Sequence, residues 1–187
     1  MPPHPGPKDG GDVLPYVKIV SYDQRWPLIF EVEKQRILML SGNKVAAVEH
    51  FGSTAIPRIC AKPCIDMLVG LNHWGEADDL QRMFSRLDYH YIAGLEIDWR
   101  ILGRTGSPAF RLHLLPYQNF RWKGFIALRD YLRSNPRVAA EYCRQKKHLA
   151  VTHHTDRVQY SQGKRDFLDN VEGLARRNIL ASRLVSI

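Results

Sequence analysis

The sequence predicts an α+β fold: a mixed β-sheet packed by helices, with further helices gathered at the C-terminal end. Three observations predict it. Short apolar and β-branched runs punctuated by Gly and Pro fill the middle of the chain. Apolar residues at helical spacing precede and interrupt those runs. Beyond about residue 120 only helical spacing remains, so helices close the chain. With 187 residues, 44% of them hydrophobic, one core can be buried, and a single domain over residues 16–187 is expected. The first fifteen residues, MPPHPGPKDGGDVLP, are rich in Pro and Gly and lack an apolar signal core, so they read as a disordered leader.

The elements follow in order. Asp23 can cap a helix whose stripe is Trp26, Phe30, Ile37 and Leu40, and Pro27 fits only in its first turn. Ser41-Gly42-Asn43 stops it. Residues 45–51 and 65–71 read as strands, and residues 75–87 as a helix with Leu80, Met83, Phe84 and Leu87 on one face. Two strand-like runs, 89–93 and 95–102, are set off by Gly94 and Gly103. Residues 109–115 form a further strand, and residues 122–133, 136–151 and 160–184 read as helices.

Strand side chains alternate between faces, which sorts the polar ones. In CIDMLVG, Ile65, Met67 and Val69 share one face, and Asp66 and Leu68 the other. In AFRLHLL, Phe110, Leu112 and Leu114 point one way, and Arg111 and His113 the opposite way. If these strands are neighbours, Asp66, Arg111 and His113 share a cleft able to bind a metal or move a proton. The plainer alternative is a hydrogen-bonded core histidine beside a buried ion pair. Between the strands, Gly52 permits a sharp turn and close backbone approach. Ser53 and Thr54 then offer hydroxyls and amides to phosphate oxygens, and Arg58 and Lys62 add positive charge.

Charge is unevenly spread. Residues 100–187 hold 17 Lys and Arg against 6 Asp and Glu, whereas residues 1–99 hold 10 against 13. That asymmetry draws polyanions, and RNA or a phosphorylated small molecule is the natural partner; a solvated helical surface is the alternative. Arg129, Arg133, Lys146, Lys147, Lys164 and Arg165 are the candidate nucleic-acid contacts. Three cysteines, Cys60, Cys64 and Cys143, are too few and scattered for a disulfide framework, which favours a reducing, cytoplasmic setting. Cys60 and Cys64 lack a second Cys/His pair at zinc spacing, so no metal site is assigned. No apolar run approaches eighteen residues, and no membrane partner is expected.

The segment VEHFGSTAIPRICAKPCIDMLV resembles the signature of the GrpB-like family, written EHxGSTAxPGxxAKPxIDxxV. The opening VKIVSYDQRWPLIFEVE, the later LHLL and ALRDYLRSNPRVAAEYCRQKKHLA resemble further blocks of that family, the last matching FRDYLRxHPxxAxxYxxLKxxLA. The resemblance runs from about residue 17 to residue 180. It implies a nucleotidyltransferase-like fold, in which a Gly-Ser turn holds nucleotide phosphates and strand carboxylates hold metal ions.

Three positions depart from that pattern. Nucleotidyltransferases place two acids as D-x-D, and here the second position is Leu68, so Mg2+ enters only if nucleotidyl transfer survives without it. Glu96 and Asp98 in LEIDW supply acids two apart, with a solvated edge strand as the plainer alternative. Arg58 replaces the family's Gly, and Arg111-Leu112-His113 retains one histidine of HxH. The expected function is transfer from a nucleotide or an aminoacyl-tRNA, the latter through a relation to the arginine-containing cyclodipeptide synthases. Asp66, His113, Glu49 and Ser53 are the candidate catalytic residues. Gly52, Ser53, Thr54, Arg58, Lys62, Arg100 and Arg111 are the candidate substrate contacts. A non-catalytic nucleotide- or RNA-binding module and an accessory interaction domain are the competing readings.

Overall fold

The computed structural model describes residues 17–184, and the expected leader lies outside the described residues. Helix α1 (Trp26–Ser41) opens with Pro in its first turn. Asp23 Oδ1 accepts the Arg25 amide at 2.9 Å just before it. Gly42, at φ 56°, ends the helix. Strands β1 (Val45–Phe51), β2 (Cys64–Leu71), β3 (His90–Glu96), β4 (Trp99–Arg104) and β5 (Ala109–Pro116) form one sheet in the order β1-β2-β5-β4-β3. β2 and β5 run parallel and the other neighbours antiparallel, so the sheet is mixed. Helix α2 (Ala77–Phe84) lies between β2 and β3, and α3 (Phe120–Ser134), α4 (Pro136–Thr152) and α5 (Arg157–Leu184) follow the sheet.

The two sheet faces carry different layers. Ile65, Met67 and Val69 of β2 and Leu112 and Leu114 of β5 are fully buried with Trp26, Phe30 and Ile37 of α1 and Leu80 and Phe84 of α2. The opposite face meets α3 through Phe51, Leu68, Leu115 and Trp122. Beyond it, Ile56 and Ile59 of the β1–β2 connection pack on Leu132, Tyr142 and Val171 of α3, α4 and α5. Each such buried aliphatic side chain stabilises the fold by about 2 kcal/mol, so this layer fixes the β1–β2 connection as firmly as a strand.

A buried charge spans the first layer. Glu33 of α1 is 2% exposed and accepts a two-pronged pair from Arg104 of β4, at 2.9 and 2.8 Å. Tyr89 donates its hydroxyl to Glu33 at 3.1 Å, and burial pushes that phenol well above its usual range. The Arg104 guanidinium lies over the Tyr89 and Phe110 rings at 4.8 and 4.4 Å. Helical periodicity gave no reason to place an acid here, since Glu33 occupies a core-facing position.

Two expectations are corrected. Residues 89–93 and 95–102 were expected as separate strands, with Glu96 and Asp98 on one face. Instead Ile97 and Asp98 form the turn of the β3–β4 hairpin, and Ile97 is 94% exposed. The alternation of Leu95, Ile97 and Trp99 imitates a strand where the chain reverses. Glu96 pairs with Arg121, and Asp98 accepts from Asn119 at 3.4 Å. Second, Cys60 and Cys143 are disulfide-bonded, with Cα atoms 5.4 Å apart across 83 residues of sequence. α4 folds back over the β1–β2 connection, a proximity that cysteine spacing cannot reveal, so the cysteines do not favour a reducing compartment. Among the described residues, no helix is long and apolar enough to cross a membrane.

Replacing Arg104 with Met leaves the Glu33 carboxylate buried without its main counter-charge. Arg104→Met is expected to lower stability by about 3 kcal/mol, read as a reduced urea midpoint.

Candidate functional site

The parallel β2–β5 register places Asp66 beside Arg111 and Leu68 beside His113. Asp66, Arg111 and His113 therefore share one face, as strand alternation predicts. Phe51 pairs with Asp66 from the other side, and the chain turns immediately afterwards at Gly52, φ 71°. A Cβ at Gly52 would lie 2.7 Å from Asp66 Oδ2. The turn thus needs glycine twice, for its dihedral and for the carboxylate pressed against it.

Asp66 keeps about a quarter of its side chain exposed, while His113 is more enclosed. His113 Nε2 faces Asp66 Oδ1 at 3.7 Å, and Trp99 Nε1 donates to His113 Nδ1 at 3.3 Å. Burial pushes the Asp66 carboxyl up. The facing imidazole of His113 and the charges of Arg111 and Lys164 outweigh that and hold it below the usual carboxylate range. Asp66 is an anion in this cleft.

The Gly-Ser turn divides its hydroxyls. Ser53–Ala55 form one short helical turn. Thr54 is buried, donates to the Cys64 carbonyl at 3.1 Å and lies 3.0 Å from His50 Nε2, so it latches the turn to β2. His50 stacks on Phe30 at 4.7 Å. Burial holds its imidazole down to about 4 despite the Asp66 charge, with Arg133 and Arg129 pushing the same way. Ser53 is half-buried. Tyr142 of α4 reaches it, and burial raises the Tyr142 phenol to about 12 although that hydrogen bond pulls it down.

The basic residues separate into groups that sequence could not distinguish. Lys164 of α5 is half-buried, 4.9 Å from the centre of the Tyr160 ring. Burial lowers its amine to about 8. Asp66 opposes that shift, and the positive charges of Arg111 and Lys62 reinforce it. A Cβ at Gly163 would lie 2.6 Å from Leu149 Cδ2, so glycine allows the close α4–α5 contact that seats Lys164. Lys146 is 1% exposed, lies 4.3 Å from the Tyr142 ring centre, donates to the Cys60 carbonyl and is lowered by burial to about 7. Arg129 is 10% exposed and donates to Glu49 at 2.7 Å and the His50 carbonyl at 3.0 Å.

Lys146 and Arg129 are therefore corrected from surface nucleic-acid contacts to internal ties. Arg133 donates to the Ala55 carbonyl at 2.9 Å and keeps partial exposure. Lys147 and Arg165 are exposed, as a polyanion contact requires. Glu49 lies on the Asp66 face, but its carboxylate is taken by Arg129 of α3. Arg100 is corrected from substrate contact to the opposite face: it pairs with Leu114 across the sheet and binds Asp78 and Gln81 of α2 at 2.6 and 3.0 Å. Arg58 is exposed at φ 67°, a left-handed conformation that explains why the family pattern has glycine there. Tyr142 and Trp99 were missed, because a helix and a hairpin far along the chain bring them in.

Leu68, at the position of a second metal acid, is fully buried with Phe51, Leu115 and Trp122. Among the described residues, no three His, Cys, Asp or Glu side chains gather to hold a metal ion.

A five-stranded mixed sheet with a Gly-Ser turn against a strand carboxylate defines an α+β protein. Comparison with known proteins assigns its family. A family model described as "GrpB protein" matches residues 16–173, and the chain belongs to the GrpB family. Glutamate-rich protein GrpB of Alkalihalophilus pseudofirmus is 31% identical over 162 residues, covering 83% of this chain and 93% of that protein. UPF0157 protein YqkA of Bacillus subtilis is 32% identical over 167 residues, 86% of this chain and 48% of that longer protein. The crystal structure of conserved protein GrpB from Enterococcus faecalis superposes with a TM-score of 0.79 at 32% identity, covering 87% of this chain and 99% of that one.

Two substitutions test the local geometry. Arg58→Gly removes a strained side chain and is expected to raise stability by about 1 kcal/mol in urea unfolding. Leu68→Asp buries a carboxylate without partners; it is expected to cost about 3 kcal/mol, and Mg2+ is expected not to restore the unfolding midpoint.

Proposed function

We propose that this chain is a transferase of nucleotidyltransferase-like fold whose cleft works without a metal pair on a phosphate-bearing substrate, a nucleotide or the acylated end of a tRNA. The observation that carries this reading is the convergence of Asp66, Arg111, His113 and Lys164 beside the Gly52–Ser53 turn. Lys62, Arg111 and Lys164 supply the positive charge that phosphates need. Asp66, held ionised, is suited to orient an attacking amine. Burial lowers the Lys164 amine to about 8, which leaves it cationic at neutral pH and able to hold a phosphate oxygen.

Transfer from an aminoacyl ester fits this set. The attacking amine forms a C–N bond to the ester carbonyl carbon, and the C–O bond to the terminal ribose breaks. The proton released by the amine passes to the departing ribose oxygen, which the cationic Lys164 stabilises as it leaves. The ester is already activated, so positioning supplies much of the acceleration. Lys147 and Arg165 lie outside the cleft, where the remainder of an RNA would run. A second reading, a binding module without chemistry, is favoured by the apolar packing of Leu68, which denies the usual second metal acid.

Calorimetry with inorganic pyrophosphate tests the phosphate site. Binding of equal strength in EDTA and in Mg2+ is expected, weakened about tenfold or more by Arg111→Met or Lys164→Met. The cationic form of Lys164 is the one that binds, so affinity should fall as pH rises above about 8. Binding only with Mg2+ would overturn the metal-free reading. Incubation with charged total tRNA, followed by mass analysis for cyclic dipeptides, tests the chemistry; pyrophosphate binding with no product from any amino acid favours the binding module.

A further inference from the structure

Both ring nitrogens of His113 face a polar group. The indole N–H of Trp99 is a donor only, so the Nδ1 it reaches at 3.3 Å must accept. A neutral imidazole that accepts on Nδ1 carries its proton on Nε2, and Nε2 is the nitrogen facing Asp66 Oδ1 at 3.7 Å. Neither nitrogen then offers a lone pair to a substrate, so His113 is not the resting base of the cleft.

Trp99 is itself fixed. Its ring lies 5.5 Å from Phe125 of α3, and the Arg121 guanidinium sits 5.4 Å from its centre. Arg121 pairs in turn with Glu96 at the end of β3. Phe51 meets the His113 ring edge-on at 4.8 Å and packs on Phe125 at 5.2 Å. The imidazole is therefore held between two aromatic rings, Phe51 and Trp99, both backed by Phe125, its Nδ1 side towards the indole and its Nε2 side towards the carboxylate. A histidine needed only for packing would not require a donor-only partner on one specific nitrogen.

We infer that Trp99 is a positioning residue of the cleft: its indole N–H fixes the His113 tautomer, and the tautomer keeps a proton donor turned on Asp66. The Asp66 carboxylate faces this donor at 3.7 Å, and the positive charges of Arg111 on β5 and Lys164 on α5 act on it as well. The series Glu96–Arg121–Trp99–His113–Asp66 thus runs from the β3–β4 hairpin to the Gly-Ser turn. The inference rests on the reading of this cleft as the functional site, but its test requires no substrate.

Nitrogen-15 NMR of labelled histidine in the intact protein reads the tautomer, and carbon-13 NMR of aspartate carboxyls reads the Asp66 titration. The wild type is expected to hold His113 as the Nε2–H form. Trp99→Phe keeps the aromatic contact without the donor, and is expected to give a tautomer mixture and an Asp66 proton affinity raised about threefold. His113→Phe removes the donor altogether and is expected to raise that affinity about tenfold. A wild-type Nδ1–H tautomer overturns the inference, as does an Asp66 titration unchanged in Trp99→Phe. The wild-type tautomer and His113→Phe decide the matter if Trp99→Phe does not fold. Absence of pyrophosphate binding or transfer, with the tautomer as expected, overturns the functional reading and leaves this one standing.

Discussion

The parallel pairing of β2 with β5 is the constraint on which the cleft depends. Parallel neighbours cannot be joined by a tight turn, so a helix and a hairpin intervene between them. That long connection lets β4 lie on the far side of β5, carrying Trp99 to His113. The same pairing aligns Asp66 with Arg111 residue for residue. A slip of one residue would turn Arg111 and His113 into the α1–α2 layer and expose Leu112 to the cleft, which the apolar packing of that layer forbids. The hydrophobic pattern thereby specifies the polar site.

One carboxylate among several cations behaves differently from a pair of carboxylates around metals. Two acids side by side raise each other's proton affinity and need a cation to stay ionised together. Here Arg111 and Lys164 provide that charge as fixed parts of the chain, and Leu68 gives the neighbouring position to the core. The arrangement depends on helix placement, since Gly163 lets α5 settle against Leu149 and so brings Lys164 to Asp66.

Most of the architecture was legible in the sequence because its signals are local. The strands 45–51 and 109–115, the breaks at Gly42 and Gly52, and the terminal helices follow from periodicity and turn residues. Strand alternation also put Asp66, Arg111 and His113 on one side. What stayed hidden depended on where helices land. Nothing local distinguishes Lys146, sealed under the β1–β2 connection, from Lys147 in solvent one residue later. Arg100 reads as another cleft cation until the register with Leu114 turns it to the other face. The Cys60–Cys143 bond and the Ser53–Tyr142 contact both arise from α4 folding back across 83 or more residues, a distance over which spacing carries no information.

The contact between Trp99 and His113 also has an optical consequence. Indole emission is quenched by nearby proton donors and shifts with local polarity, and this indole borders the cleft while Trp26 and Trp122 are buried in the two packing layers. Occupancy of the cleft, or a change in its protonation, would therefore alter the emission of one tryptophan more than that of the two buried ones. The protein carries its own reporter of what enters beside Asp66.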